Sequence, residues 1–302
     1  MNLSLKSLLP PRDLGWNRAR AVCALAECHN KLLTKYVPGN RTGLFVGDHW
    51  YCSPDCFAMG SRNLLASLSS GCVVEMPRNP RLSLGLALLS KGYLTEDQYR
   101  SAVMRSERRG ESLETTLMER GFVREKQLSA ARAAQWGYPV LAHELSGLTV
   151  EADLPASLLR AYRAAPIHYS GKPKRLVLGF VDRVEHGLLQ SIEQITGCRA
   201  EPCFITPAEF EEQMERLTVA SGYQEAAVDD PGTLAQMGRT LGGWAVEIAA
   251  QEASFAKCNS SAWVRISGKR GTVDVIFALK NALAVNRVKV STRVPEVTVS
   301  LG

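Results

Sequence analysis

A stretch of 24 residues, Ser83 to Ser106, recurs five residues later as Ser112 to Gln135. Seven positions are identical under a shift of 29: Ser83/Ser112, Leu84/Leu113, Leu88/Leu117, Gly92/Gly121, Glu96/Glu125, Gln98/Gln127 and Ala102/Ala131. A fixed internal period means one supersecondary unit used twice. Within each copy the leucines recur at the spacing of one helical face, a glycine suited to the left-handed conformation follows, and a second apolar stripe begins. The repeat is therefore expected to be two helical hairpins that pack their leucines together. Thr95 and Gln98 form a T-x-x-Q capping box for the second helix of the first copy. Arg124 stands at the corresponding cap of the second copy, where a less sharp helix start is expected.

After the repeat the pattern changes. Leu176 to Val181 is a short apolar run of the kind that forms a buried strand, Val184 to Ile195 has helical spacing, and Arg199 to Ile205 is a second strand. Thr206-Pro207-Ala208-Glu209 opens a helix with a full capping box. Thr233 to Ala256 reads as helical, with Gly238, Gly242 and Gly243 implying a break or close packing. Ala262 to Ser267 and Thr272 to Leu279 alternate as a hairpin.

The repeat reads Leu-Gly-x-x-Leu-Leu-x-x-Gly-aromatic-Leu, then four residues and Tyr99, and the same register returns after five residues. This order resembles the amino-terminal (MshEN-like) domain of type II secretion and type IV pilus assembly ATPases. Trp136 to Val140, Leu154 to Tyr162, Ala165 to Tyr169, Leu176 to Asp182, Gly197 to Ile205 and Thr206 to Leu217 continue in the family's order. The resemblance spans about Pro77 to Leu217.

The resemblance implies a cyclic di-GMP site in which each copy opens with Arg-Leu-Gly and closes with Gln. Here the copies read Ser83-Leu84-Gly85 closing on Ser106, and Ser112-Leu113-Glu114 closing on Gln135. Leu84, Gly85, Leu113 and Gln135 are what remains of the motif. Two lost charge-assisted contacts, each worth about 1.5–3 kcal/mol, weaken binding by orders of magnitude. Glu114 is expected to add like-charge repulsion, and Arg132 replaces an expected leucine. Arg81, Arg105, Arg108 and Arg109 lie nearby in sequence as alternative cations. A scaffold kept without its ligand set points to a protein-interaction module. A cyclic di-GMP receptor with a non-standard ligand set is the competing class.

No phosphate loop accompanies the domain: Gly171-Lys172-Pro173 and Gly268-Lys269-Arg270 lack the upstream glycine spacing and the following hydroxyl. His29, His49, His143, His168 and His186 are scattered, and no nucleophile–base constellation is visible. The chain is expected not to be an enzyme, and protein partners in secretion or pilus machinery are what the resemblance implies.

Cys23-x4-Cys28 is followed by Cys52-x3-Cys56, with Gly43, Gly47, Trp50 and Tyr51 before the second pair. Four thiolates in two close pairs can close a tetrahedral site. Ser53 as cap and Pro54 in the first turn put Cys56 at a helix start. The segment resembles a treble-clef zinc domain, which implies structural zinc on Cys23, Cys28, Cys52 and Cys56. His29 is an alternative to Cys28, and buried free cysteines or disulfides are the other readings. Met1 to Arg20, with Pro10, Pro11 and charged residues, does not read as a signal peptide. A reducing, cytoplasmic location is therefore expected. Cys198 and Cys203 read as core residues.

Lys257 to Arg293 holds eight Lys and Arg against one acid, Asp274, in a chain of net charge +6. With Trp263 and Phe277 this stretch is a candidate contact for nucleic acid or an anionic membrane surface, or else a set of solvated strand positions. A zinc-containing nucleic-acid-binding protein is thus a third class. No apolar run approaches the length of a membrane span.

The expected fold class is α+β: a zinc module over 18–72, the repeat over 77–145, a small α/β subdomain over 146–218, a linker over 219–232, and a basic helix plus β-hairpin tail over 233–302.

Overall fold

The computed structural model describes residues 22–29, 43–70, 82–141, 153–217 and 222–279. The fold is α+β, and the chain divides into two compact units. One contains the described residues from 82 to 225. The other joins those from 22 to 70 with those from 226 to 279.

In the first unit the repeat forms four helices: α2 (Leu84–Ser90), α3 (Glu96–Arg109), α4 (Leu113–Glu119) and α5 (Glu125–Trp136). The two copies end their first helices identically. Tyr93 N–H donates to the Leu88 carbonyl and Gly92 N–H to that of Leu89; Phe122 and Gly121 do the same to Leu117 and Met118. Gly92 and Gly121 both sit at φ +66°. This is the Schellman arrangement, in which a left-handed glycine satisfies the last helix carbonyls. Packing then crosses between copies, with α2 against α5 and α3 against α4. Leu88, Leu94, Leu117, Val123 and Leu128 make one shared core.

The Thr95–Gln98 capping box is present, with Gln98 N–H donating to Thr95 Oγ1 at 3.3 Å and Thr95 N–H to Gln98 Oε1 at 3.0 Å. At α5 only half of it survives. Arg124 N–H donates to Gln127 Oε1 at 2.9 Å, and the guanidinium, having no acceptor atom, cannot return a bond.

The rest of this unit is a three-stranded sheet in the order β3 (Ala164–Gly171), β4 (Lys174–Phe180), β5 (Arg199–Phe204). β3 and β4 are antiparallel; β4 and β5 are parallel, joined through α7 (His186–Thr196). α8 (Pro207–Arg216) follows with the Thr206–Glu209 capping box. The short helix α6 (Ala156–Ala161) begins at Pro155, which has no side chain to cap it; Glu225 supplies the cap, accepting from Ala156 N–H at 2.7 Å and Ser157 N–H at 2.9 Å.

The second unit is built on a six-stranded sheet, ordered β2 (His49–Tyr51), β1 (Leu44–Val46), β7 (Ala250–Cys258), β8 (Ser261–Gly268), β9 (Gly271–Ala278), β6 (Tyr223–Val228). β1 runs parallel to β7, pairing Phe45 with Glu252 and Val46 with Ala253. α1 (Pro54–Ser70) and α9 (Leu234–Glu247) pack together and against the sheet. The core combines Phe57 and Leu65 of α1, Met237, Leu241 and Ala245 of α9, and Ala253, Val264, Ile266, Val275 and Phe277 of the strands.

Three expectations differ from this arrangement. The cysteine segment and the basic tail are not separate modules: a three-residue β1 cannot bury a face alone, and it completes itself on β7. The stretch 219–232 contains β6 rather than being only a linker. The helix expected to Ala256 ends at Glu247, because Ala249 at φ +51° turns the chain into a strand whose residues alternate in burial. The glycines of α9 mark close packing rather than a break. A Cβ on Gly238 would lie 2.4 Å from the Ala58 carbonyl oxygen, and one on Gly242 2.8 Å from Ala58 Cβ.

Candidate metal centre and repeat face

The first cysteine pair lies on a short knuckle, where Cys28 N–H donates to the Leu25 carbonyl at 3.3 Å. Ala24 N–H donates to the Trp50 carbonyl at 2.7 Å, which ties the knuckle to β2. The β1–β2 turn needs only Gly47 and Asp48, with Gly47 at φ +57° as the first central residue of a tight hairpin requires. Cys52 follows β2 directly. Ser53 accepts from Cys56 N–H at 3.2 Å and places Cys56 in the first turn of α1.

The four sulfurs converge. Cys28 Sγ is 3.6 Å from Cys52 Sγ, Cys52 is 3.6 Å from Cys56, and Cys56 is 3.8 Å from Cys28; all four sulfurs, that of Cys23 included, lie within 4.8 Å of one another. A tetrahedral zinc–thiolate site with bonds near 2.3 Å has sulfur–sulfur edges of about 3.8 Å. A disulfide requires about 2.05 Å, and all four thiols are free. The centre can hold a metal ion such as zinc. His29 is exposed and outside the group, so Cys28 is the fourth donor.

Burial, then thiol contacts with Cys28 and Cys56, hold Cys52 well above the ordinary thiol range. Burial also raises Cys56. At Cys23 burial acts upward too, but backbone N–H groups of Cys52 and Leu25 and the Cys28 and Cys52 thiols outweigh it and set its pKa below the usual value. Crowded thiols share protons unequally, and a divalent cation would displace them, so metal uptake releases protons. Cys198 and Cys203 are buried core residues, and Cys258 is fully buried.

On the repeat, residues at the implied ligand positions serve the fold. Ser83 and Ser112 are N-caps, accepting from Leu86 N–H at 3.3 Å and Thr115 N–H at 3.0 Å. Ser106 is buried and donates to the Val103 carbonyl at 2.9 Å. Gly85 is buried under Tyr99, whose Cε2 is 2.4 Å from where a Cβ would stand. Leu84 and Leu113 are partly buried against the shared core, and Gln135 is half-buried in the last turn of α5.

Glu114 does not stand as a bare repulsive charge. It pairs with Arg132, whose side chain is only 8% exposed and which also donates to the Val181 carbonyl at 2.7 Å and lies 3.5 Å from Asp182. Arg163 meets the other Asp182 oxygen at 3.2 Å. Ser129, one turn earlier on α5, donates to the Ile205 carbonyl at 3.0 Å. The charge placed at the leucine position therefore ties the repeat to the sheet behind it. The signal was present in sequence as two departures of opposite sign in one copy, Glu114 and Arg132. Among the alternative cations, Arg109 is 3.7 Å from Glu111 and 3.8 Å from Glu119, Arg105 is half-buried and Arg108 exposed. Arg81 lies outside the described residues.

The proposed stacking residues of the basic stretch are not available: Trp263 and Phe277 are 0% exposed. Both lie on central strands whose residues are buried in succession, Ala262 to Val264 on β8 and Val273 to Phe277 on β9, so neither face of the strand pair presents them to solvent. Arg265 is held by Asp274 in a two-pronged contact of 2.9 and 2.6 Å. Lys280, Arg287, Lys289 and Arg293 lie outside the described residues. Among the described residues no helix is long and apolar enough to cross a membrane.

No family model matches this chain. Over 131 residues it is 28% identical to the type IV pilus assembly ATPase PilB of Thermus thermophilus, a match covering 42% of this chain and 14% of that protein. A structure of MshE with cdg matches 45% of this chain and 99% of its own length, at 26% identity and a TM-score of 0.37. The N-terminal domain of XpsE matches 45% of this chain and 93% of its own, at 19% identity and a TM-score of 0.33. In sequence the chain is thus similar, over 42% of its length, to a stretch of a type IV pilus assembly ATPase, and it spans only 14% of that protein.

Proposed function

We propose that this protein is a non-catalytic adaptor or regulator that acts through protein contacts, using the ATPase-like amino-terminal domain as a scaffold, with secretion or pilus machinery as the partner system. One observation carries this reading. At the two positions where a dinucleotide would need free cations, Ser83 and Ser112 are spent as helix caps, and Arg132, a cation at an expected leucine position, is spent on Glu114 and the Val181 carbonyl. An arginine neutralised by a carboxylate has no net charge left for a phosphate, and freeing it would cost the contacts it already makes. The four-cysteine centre, in the other unit, serves as a structural zinc site on Cys23, Cys28, Cys52 and Cys56, a closed thiolate set of the kind that supplies folding energy rather than chemistry.

The test is a calorimetric titration of the zinc-loaded protein with cyclic di-GMP, with GTP as the control for general anion binding. A flat trace from folded protein is the expected result. Saturable, selective heat in the micromolar range or tighter would overturn this reading and make the repeat a receptor with a ligand set of its own.

A further inference from the structure

We propose that Cys52 is a modification site for a two-electron oxidant, hydrogen peroxide, and that its oxidation ends in a Cys28–Cys52 disulfide that releases the metal ion. This rests on reading the four-cysteine centre as a zinc site and assigns one of its sulfurs a reactivity the other three lack.

The thiolate is the nucleophile of cysteine chemistry, and hydrogen bonds donated to a ligand sulfur engage its lone pairs and lower its reactivity. The four sulfurs are supplied unequally. Cys23, 2% exposed, accepts from the backbone N–H groups of Leu25 and Cys52. At Cys56 the Ser53 hydroxyl favours the thiolate. Cys52 gives its own N–H to Cys23 and receives none: among the described residues the partners of its sulfur are the other three thiols, those of Cys28 and Cys56 at 3.6 Å each.

The sequence explains the difference. The residue two places after Cys23 is Leu25, whose N–H turns back to the sulfur; the residue two places after Cys52 is Pro54, which has no N–H to give. The N–H of Cys56 is committed to Ser53 Oγ at 3.2 Å. Exposure separates Cys52 from its neighbour, since Cys28 is buried and Cys52 only partly so. Cys52 is therefore the sulfur that is both open to solvent and without a backbone or hydroxyl donor.

In the first step the Cys52 thiolate attacks one peroxide oxygen: an S–O bond forms, the O–O bond breaks, and hydroxide leaves and is protonated to water. The Cys28 thiolate then attacks the sulfur of the resulting sulfenic acid. An S–S bond forms, the S–O bond breaks, and a second hydroxide leaves as water, so two thiolates have given two electrons to the peroxide. The two sulfurs approach by about 1.5 Å to bond. Cys23 and Cys56 are left as donors, and two thiolates do not close a tetrahedral site. A thiol reductant restores Cys28 and Cys52 by exchange.

The test treats zinc-loaded full chain, freed of reductant, with limiting hydrogen peroxide. Released zinc is read with a chromophoric chelator, and dimedone adducts and disulfides are mapped by peptide mass spectrometry. We expect dimedone on Cys52 at about tenfold or more the level on Cys23, one zinc ion released per Cys28–Cys52 disulfide, and zinc binding regained after thiol reduction. Pro54→Ala, which restores an N–H at this position, should slow zinc release severalfold with zinc content unchanged. A chain that binds no zinc would refute the metal reading itself. Zinc retained with Cys52 unmodified, or first modification at Cys23 or Cys56, would leave the site standing and overturn the assignment. An unchanged rate in Pro54→Ala would overturn the hydrogen-bond argument that selects Cys52.

Discussion

Replacing Gly238, Gly242 and Gly243 singly with alanine puts the same methyl group on one helix in three surroundings, and the three results should differ in sign. In a helix interior alanine is favoured over glycine by about 0.8–1 kcal/mol. At Gly243, which is exposed, nothing lies within 4 Å of the new Cβ, so the full gain should appear. At Gly242 the new carbon starts 2.8 Å from Ala58 Cβ and 3.5 Å from the Pro54 carbonyl oxygen. Carbons are comfortable at about 3.5–4.0 Å, and an alanine Cβ is fixed to its backbone, so relieving this contact should outweigh the gain and leave the variant mildly destabilised. At Gly238 the obstacle is the backbone oxygen of Ala58 at 2.4 Å, with Arg62 Cγ at 3.1 Å. A carbonyl of α1 cannot rotate aside as a side chain does, so the two helices must separate. Overpacking of this kind costs about 1–3 kcal/mol, which leaves Gly238→Ala destabilised by up to about 2 kcal/mol after the propensity gain. The assay is urea unfolding followed by tryptophan fluorescence, since Trp50, Trp244 and Trp263 all belong to this unit. Gly238→Ala as stable as Gly243→Ala would refute the close approach of α1 and α9.

Arg132→Ala should destabilise the repeat unit by about 2 kcal/mol, less than the roughly 3–5 kcal/mol of a fully buried pair, because Glu114 and Asp182 keep 36% and 46% side-chain exposure and rehydrate when orphaned. Arg132→Met, which keeps the apolar stem, should cost about half as much; chemical unfolding read at Trp136 distinguishes the two, equal costs would mean that the stem contributes nothing, and a costless Met would mean that the charge does nothing. Burial, and secondly Glu209, push the Cys203 thiol up to about 12. A folded pKa above the unfolded value gives stability that is complete below the ordinary thiol range and lost as pH rises from there through about 12. Iodoacetamide at mildly alkaline pH should therefore leave Cys203 unlabelled in native protein and label it in urea, as peptide mass spectrometry would show; native labelling would contradict its burial.

The repeat was legible because each copy carries its own punctuation: Gly92 and Gly121 end their helices in the same way, and leucine spacing fixes the inner face. Which helix packs on which was not, since the leucines of both copies are equivalent partners until three dimensions choose. The cysteine centre was legible because ligand chemistry resides in residue type and spacing. Its connection to the carboxyl-terminal strands was hidden, because β1 is three residues long and its partner Glu252 lies far along the chain. Glu225 as the cap of α6 was hidden for the same reason: a capping carboxylate is recognised in sequence only when it stands beside the helix it caps. Arg132 and Glu114 were each noticed as departures, yet only their proximity turns two anomalies into one ion pair.

The parallel pairing of β1 with β7 also sets a timetable. Between Val46 and Ala253 lie roughly 200 residues, and a ribosome adding 5–20 residues per second takes about 10–40 s to supply them. During that interval the nascent hairpin and α1 have no sheet to cover, while the four helices of the repeat, which pack on one another, are delivered whole long before β7. Early capture of an ion by Cys23, Cys28, Cys52 and Cys56, all of them made before the carboxyl-terminal strands, would keep the waiting segment in shape until those strands arrive.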